Sequence, residues 1–457
     1  ITKTRMGGSF VKPIYAADAS QFVIQAEETD IDENDIPLKV PAVIKNIFID
    51  GLCKTKNVLI ANQLSDLFKA KTFSDIMTEA HLGKLKLERL GIFSTIDVLV
   101  DVSEDSHGDA FDVHYIVKEK RRFSMNIGTS IGANEGGMTM NANINNIRGY
   151  GETLKSGLSF GTRVSSAYEF AYIKPFSNDS DKKFTIRLIK SMEDKSQSLY
   201  NENTKGAGFD FQIPSALGVH VFGLDFMCRE NLINLEAPFS VRENAGHSLK
   251  SSIKHTLTSD GRDDWIFPSS GHLVKHSVEY SGIGGNVKSI KSDLELQINK
   301  EIIPNVVVSC SFQGGVVRSL TSDLLLINDR LFLGGPVSIR GFAMRGIGRH
   351  DGQASLGGEK YWASGLHLYT PLPFRPGQGG FGDLFRLHLF FNAGSLSDFN
   401  TCFRDFISKP RYSYGLGVMI MLGAVARLEI NYCIPKNAQA GDVINNGLQV
   451  GVGMSFL

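Results

Sequence analysis

Leu331 to Phe342 reads LFLGGPVSIRGF. Gly334, Gly335 and Pro336 mark a turn, and a short β-prone run then leads to Ile339-Arg340-Gly341-Phe342. Taken alone the stretch is an ordinary turn-rich loop. Its setting gives it weight, because it fills a long gap inside a run of short alternating strands, near the C-terminal third of the chain.

Working outward, alternation dominates from Arg121 to Leu457. In Met138–Asn145 one face carries Met138, Met140, Ala142 and Ile144, and the other Thr139, Asn141, Asn143 and Asn145. Leu294, Leu296 and Ile298 stand against Asp293, Glu295, Gln297 and Asn299, and Ala426, Leu428, Ile430 and Tyr432 against Arg427, Glu429 and Asn431. A pleated strand sends successive side chains to opposite faces, so each stretch has one apolar and one polar face. A soluble sandwich alternates too. The run here covers 337 residues, long for a sandwich, and its polar face carries many charged or small groups, as a watery lumen does. The fold expected is mainly β, a transmembrane antiparallel β-barrel. At about 20 residues per strand and turn it would have roughly 16 strands.

Composition agrees. The 457 residues hold 48 Lys+Arg and 48 Asp+Glu, and this zero net charge argues against a nucleic-acid partner. Gly at 47 and Phe at 30 suit a large β protein with many turns and aromatic girdles. The longest nearly apolar window, Tyr414–Ala426, is too short and too glycine-rich for a membrane helix. No charged start followed by an apolar run is visible at the N-terminus. Cys53, Cys228, Cys310, Cys402 and Cys433 are widely spaced, without the spacing of a zinc site, and are expected as free thiols.

The first 120 residues differ. Residues 1–40 lack periodicity and include the acidic run EETDIDEND (Glu27–Asp35), read as a flexible, solvated extension. Residues 41–120 read β-α-α-β-β. Val43–Asp50 alternates, Asn57–Ala70 has helical spacing, Thr72 can cap a second helix with Asp75 in its first turn, and two strands follow over Thr95–Glu104 and Phe111–Lys120. Helices on one face of a three-stranded sheet make a small α+β domain.

Together these stretches resemble the BamA-type outer-membrane assembly factors. GGPVSIRGF is similar to that family's (V/I)RGF loop, which folds back into the barrel. SDGRDDWIFPSSG (Ser259–Gly271) resembles an internal strand-turn-strand motif, YWASGLHLYTPLPF (Tyr361–Phe374) the strand after the loop, and LHLFFNAG (Leu387–Gly394) the strand whose acidic residue faces the loop's Arg. Here that position is Asn392, which makes a weaker, neutral acceptor than Asp. Residues 41–120, with LGIFSTIDVLVD at the helix-to-strand joint, resemble a POTRA domain, whose exposed strand edge can take a peptide by β-augmentation. With one such domain and no visible signal, the chain is most similar to members that serve the mitochondrial sorting and assembly machinery.

The resemblance implies an insertase that folds β-barrel precursors into the mitochondrial outer membrane, its POTRA-like domain facing the intermembrane space. Implied partners are those precursors, metaxin-like accessory subunits, the lipid bilayer and inner-membrane organising complexes. No cofactor, metal or catalytic residue is implied. The loop residues would be Gly334, Gly335, Ile339, Arg340, Gly341 and Phe342, with Asn392, Arg386 and His388 as their lumen partners. A lateral seam is expected where the first strand, about Phe123–Gly132, pairs with the last, Gly447–Phe456. Its residues would be Phe123, Met125, Ile127 and Gly128 against Gly447, Gln449, Gly451, Gly453, Met454 and Phe456. Its glycines, Gly132 included, would keep it weak, and a precursor's terminal strand could replace the last one. Gln449–Phe456 fits a mitochondrial β-signal, a polar residue, then Gly, then spaced hydrophobics.

Other readings predict other features. A passive solute pore needs neither the POTRA-like segment nor the RGF loop, and a soluble β-rich binding protein would not need a membrane. Conduction of polypeptides through the barrel stays open. GLSFG (Gly157–Gly161) matches GxSxG, but a hydrolase needs a strand-turn-helix setting, whereas Ser159 falls within an alternating strand.

Overall fold

The computed structural model describes residues 40–103, 110–132, 135–161, 165–177, 179–321, 325–372, 384–422, 426–453 and 457. The acidic extension, and Met454 and Phe456 of the expected seam, lie outside the described residues.

The chain forms two compact units. The first holds the N-terminal region up to Met125 together with Ala142–Lys155 and Ala171–Thr185. Its elements run β1 (Val43–Asp50), α1 (Asn57–Gln63), α2 (Phe73–Arg89), β2 (Phe93–Val102) and β3 (Ala110–Glu119), with sheet order β1-β3-β2. The first helix is shorter than its periodicity suggests, because Ser65–Lys69 tightens into a 3-10 turn. α2 begins with a capping box, in which Asp75 N donates to Thr72 Oγ1 and Thr72 N to Asp75 Oδ2. The core joins Ile47, Leu59, Ile60, Leu64, Ile76, Leu87 and Tyr115. The Tyr115 hydroxyl donates to Ala80 O at 3.0 Å. Gly83 is required mid-helix, since a Cβ there would lie 2.6 Å from that hydroxyl and 2.8 Å from Leu64.

The second unit comprises the remaining residues, Ile186–Leu457 and parts of the strands before them. The strands from Arg121 onward are β4 (Phe123–Gly132), β5 (Glu135–Asn145), β6 (Thr153–Gly161), β7 (Ser166–Phe176), β8 (Asp179–Lys195), β9 (Tyr200–Ser215), β10 (Gly218–Ile233), β11 (Gly246–Asp260), β12 (Gly271–Gly285), β13 (Ser289–Ile303) and β14 (Val306–Ser319). A two-residue hairpin follows, β15 (His350–Asp351) with β16 (Ala354–Ser355), then β17 (Lys360–Pro371), β18 (Phe385–Ser397), β19 (Arg411–Leu422), β20 (Ala426–Lys436) and β21 (Gly447–Gly453). Without the hairpin these make a 16-stranded sheet in which each strand neighbours the next, with β4 and β21 at its ends. That is the expected number of strands. The run is not free of helix, because α3 (Phe239–Arg242) and α4 (Phe403–Ser408) sit in connections.

Register fixes the two faces. Phe222 stands opposite Phe211 and His255, while its neighbour Gly223 stands opposite Asp210 and Lys254. The first face leaves Phe222, Phe226, Leu366, Leu389, Phe391, Leu416 and Tyr432 exposed, as a lipid-facing surface requires. The second is laced with ion pairs, including Arg187 to Asp210 at 2.6 Å and to Asp225 at 3.1 Å.

Among the described residues no pairing joins β4 and β21, the strands of the expected seam, which are the sheet's two ends. The described part of β21 has only seven residues. The rest of the expected last strand, 454–456, lies outside the described residues.

Candidate functional site

Arg340 is fully buried, which for a guanidinium demands partners on every side. The loop that carries it is pinned at its base. Asp329 accepts from Arg229 at 2.9 and 3.0 Å and from Lys250 at 2.9 Å. Leu331 then bridges Gly358, and Leu333 bridges Ile347, which folds the segment on itself. Ile339, Phe342, Leu333 and Ile347 pack with Val317, Leu396 and Leu457. Each fully buried aliphatic or aromatic side chain contributes about 1.5–3 kcal/mol, so apolar packing holds the loop and the polar contacts set its register.

Each residue of Ile339–Phe342 has its own seat. Ile339 lies against Gly394, where a Cβ would come within 2.5 Å of its Cδ1. Gly341 has φ +81°, and a Cβ there would meet Pro435 at 3.2 Å. Its amide donates to Gln449 Oε1 at 2.9 Å, and Gln449 Nε2 donates to Phe342 O at 3.0 Å. The loop also pairs with the β20–β21 connection. Ala343 N donates to Val443 O, Val443 N to Gly346 O and Asn445 N to Gly341 O. Asp442 binds Gly348 N and the Arg411 guanidinium.

The Arg340 guanidinium donates through Nε (3.2 Å) and Nη2 (2.7 Å) to Glu429 Oε2, and through Nη1 (3.0 Å) to Asn392 Oδ1. The Phe390 ring lies 5.2 Å from its centre. The carboxylate missing at position 392 is therefore supplied by Glu429 on β20. The expected neutral Arg–Asn bond exists, but it is the secondary one. Glu429 is itself fully buried, with Asn431 Nδ2 at 3.0 Å and Arg427 Nε at 3.3 Å.

These groups close a directed hydrogen-bonded circuit. Arginine only donates, so Asn392 presents its oxygen to Arg340 and its amide to His367 Nε2 at 3.3 Å. That puts the His367 proton on Nδ1, facing His388 Nε2 at 2.9 Å. His388 in turn donates from Nδ1 to Asn431 Oδ1 at 3.0 Å, and Asn431 donates to Glu429, which only accepts. Both histidines are neutral in this arrangement. His367 and His388 stack 5.1 Å apart, with Tyr369 over His388 at 4.7 Å. The Ser259–Gly271 turn lies beneath, closed by Asp263 Oδ1 accepting from Ser269 and Ser270, with Phe267 edge-on to Tyr369.

The structure thus brings Asn392 and Gln449 to the loop directly and His388 one step behind. Arg386 does not reach Arg340; it lies near the Phe267 ring. Six residues separate it from Asn392, or about 20 Å along a strand, so a shared face does not mean a shared site. Gln449, expected at the seam, turns its side chain to the loop instead. Phe123, Met125 and Ile127 are exposed on β4. Ser159 lies within β6, and the five cysteines are free. Glu429 was the residue not foreseen. Its signal was its place on the polar face of β20, between Arg427 and Asn431.

A family model described as the Omp85 superfamily domain matches residues 146–456. The Homo sapiens protein called Sorting and assembly machinery component 50 homolog is 40% identical over 443 residues, covering 95% of this chain and 93% of its own. The Bos taurus protein of that name is 39% identical with the same coverage. A SAM50-like protein of Drosophila melanogaster is 30% identical, covering 92% of this chain and 96% of its own. Among solved structures, BamA from Haemophilus ducreyi lacking POTRA domains 1-3 is similar with TM-score 0.73 at 18% identity, covering 90% of this chain and 85% of that one.

Proposed function

Because the chain belongs to the Omp85 superfamily, and within it to the Sorting and assembly machinery component 50 homologues, we propose how its barrel inserts β-barrel precursors into the outer membrane. The chain is an outer-membrane β-barrel insertase and works in a complex with other subunits. The precursor exchanges strands at the seam between β4 and β21, without bond chemistry and without a cofactor. The membrane is the mitochondrial outer membrane, and the POTRA-like domain receives precursors in the intermembrane space. Metaxin-like subunits and inner-membrane organising complexes are the neighbours this placement calls for.

The observation that carries the mechanism is the grip of the Arg340 loop on the terminal strand. Gln449 of β21 accepts from Gly341 and donates to Phe342. β21 and β4 are also the two ends of the sheet order, where backbone groups can accept a new strand. A precursor's last strand that displaces β21 offers a polar residue of its own to Gly341 and Phe342. Glu429 and Asn392 hold Arg340, and with it the loop, in place during the exchange.

The test places a single cysteine at Met125 or Ile127 in a chain freed of its native five. A β-barrel precursor with a cysteine in its last strand is then arrested on it. Crosslinks in one register support exchange at the seam. Their absence, with strong crosslinks to the polar-face position Glu295, would mean passage through the pore instead.

A further inference from the structure

The short run Lys118-Glu119-Lys120-Arg121-Arg122 ends where the first strand of the large sheet begins. Within the first unit, Lys54, Lys120, Arg121 and Arg122 line a cavity of about 330 Å³ together with Cys53 and Asn146. Four basic residues thus line one space. The single carboxylate in its wall, Glu119, is turned to other work. Its oxygens accept from the amides of Cys53 (3.1 Å), Lys54 (3.1 Å) and Thr55 (2.9 Å) and from the Thr55 hydroxyl at 2.6 Å. Arg122 also donates to Ile147 O. Among the described residues no carboxylate pairs with any of these four cations. Positive side chains that share a cavity wall attract an anion.

The sequence that follows the basic run has the pattern of a membrane border. Directly after Arg122, Phe123, Met125 and Ile127 turn apolar side chains outward, exposed by 58, 45 and 59%. Tyr150, in the turn between β5 and β6, is exposed by 39%. Apolar side chains bordered by an aromatic residue and then by Lys and Arg mark the passage from hydrocarbon to headgroups. In chain order the basic residues Lys120 to Arg122 precede the apolar ones, as headgroup-side residues precede a membrane strand.

We propose that this cavity binds a phosphate ester, presented to it by an anionic lipid headgroup at the foot of β4. Such a site would tie the small domain and the first strand to the membrane surface beside the seam. It does not depend on the strand-exchange reading.

Cys53, exposed in the cavity wall, serves as the reporter. The full chain is reconstituted in phosphatidylcholine vesicles with or without phosphatidic acid and treated with the uncharged reagent N-ethylmaleimide. Alkylation is followed peptide by peptide, with exposed Cys402 as the internal reference. Phosphatidic acid should slow Cys53 about tenfold relative to Cys402. Lys120→Gln with Arg121→Gln should abolish the slowing, because each cation near an anionic surface carries roughly a fivefold share of the affinity. Arg121→Lys keeps the charge and should keep the protection, which separates lost binding from lost folding. Glycerol 3-phosphate added to phosphatidylcholine vesicles distinguishes the sources: protection there assigns the site to a free phosphate ester rather than a headgroup. No protection by either anion, or equal protection in the double variant, overturns the proposal.

Discussion

Glu429→Gln tests the Arg340 site most directly. The replacement keeps the side chain's shape but removes the charge that faces Arg340 at 2.7 Å and Arg427 at 3.3 Å. Arg340 and Glu429 are both fully buried, so water cannot step in. Breaking a buried pair by removing one partner costs about 3–5 kcal/mol. The loss should appear as local detachment of the loop, because β20 keeps its full ladder to β19 and β21 while the loop has only a few backbone bonds beside its packing. Amide exchange in residues 339–347 should therefore speed up by roughly two to three orders of magnitude. Hydrogen-exchange mass spectrometry on the full chain in vesicles reads this, with β12 and β13 as unchanged references. Adding Arg340→Met removes the cation that Glu429 served. The double variant should then open the loop little further, so that the coupling is about as large as the cost of Arg340→Met alone. Exchange raised less than tenfold, or additive effects, would refute the claim that this pair adds to the packing in holding the loop.

Other expectations follow from the same contacts. Asn392→Asp should leave precursor assembly and loop protection near normal at neutral pH with a proton moved onto His367 Nε2, since Asp cannot donate to it; histidine NMR or neutron data showing Nε2 still unprotonated in the variant would contradict the circuit. Arg340→Ala should impair assembly of precursors more than it lowers the chain's own level in membranes, and equal losses in both would assign it to folding alone. Burial works to raise the Glu119 pKa, but the Thr55 hydroxyl and the amides of Thr55, Lys54 and Cys53 outweigh it and hold the carboxyl below its usual range. Its stabilising share is then complete above the unfolded value of about 4.3 and lost as pH falls through the folded one; the protection of the amides at residues 53–55, taken relative to their intrinsic exchange rate at each pH, should fall on acidification in the native chain and be flat with pH in Glu119→Gln. Removing Pro41–Lys120 should slow precursor release while the barrel still inserts, and loss of the barrel itself would sink that division of labour.

The sequence by itself determined the class of fold and the approximate strand number, and its resemblance to the (V/I)RGF loop singled out Arg340. Alternation with period two is a local property, so Met138–Asn145 and Leu448–Val452 declare their faces without a partner, and Thr72 with Asp75 declares a helix start. RGF in a long gap between strands likewise marks a loop by its own residues. What only the tertiary structure decided is who meets whom. Glu429 lies 89 residues from Arg340 and Gln449 lies 108 from Gly341. Those meetings depend on the register of four strands and on how far the loop reaches back, and a slip of one residue would turn Glu429 to the opposite face. Strand faces are set residue by residue, whereas the partner of a buried charge is set by the whole sheet. For that reason Arg340 could be picked out from the chain, and its carboxylate could not.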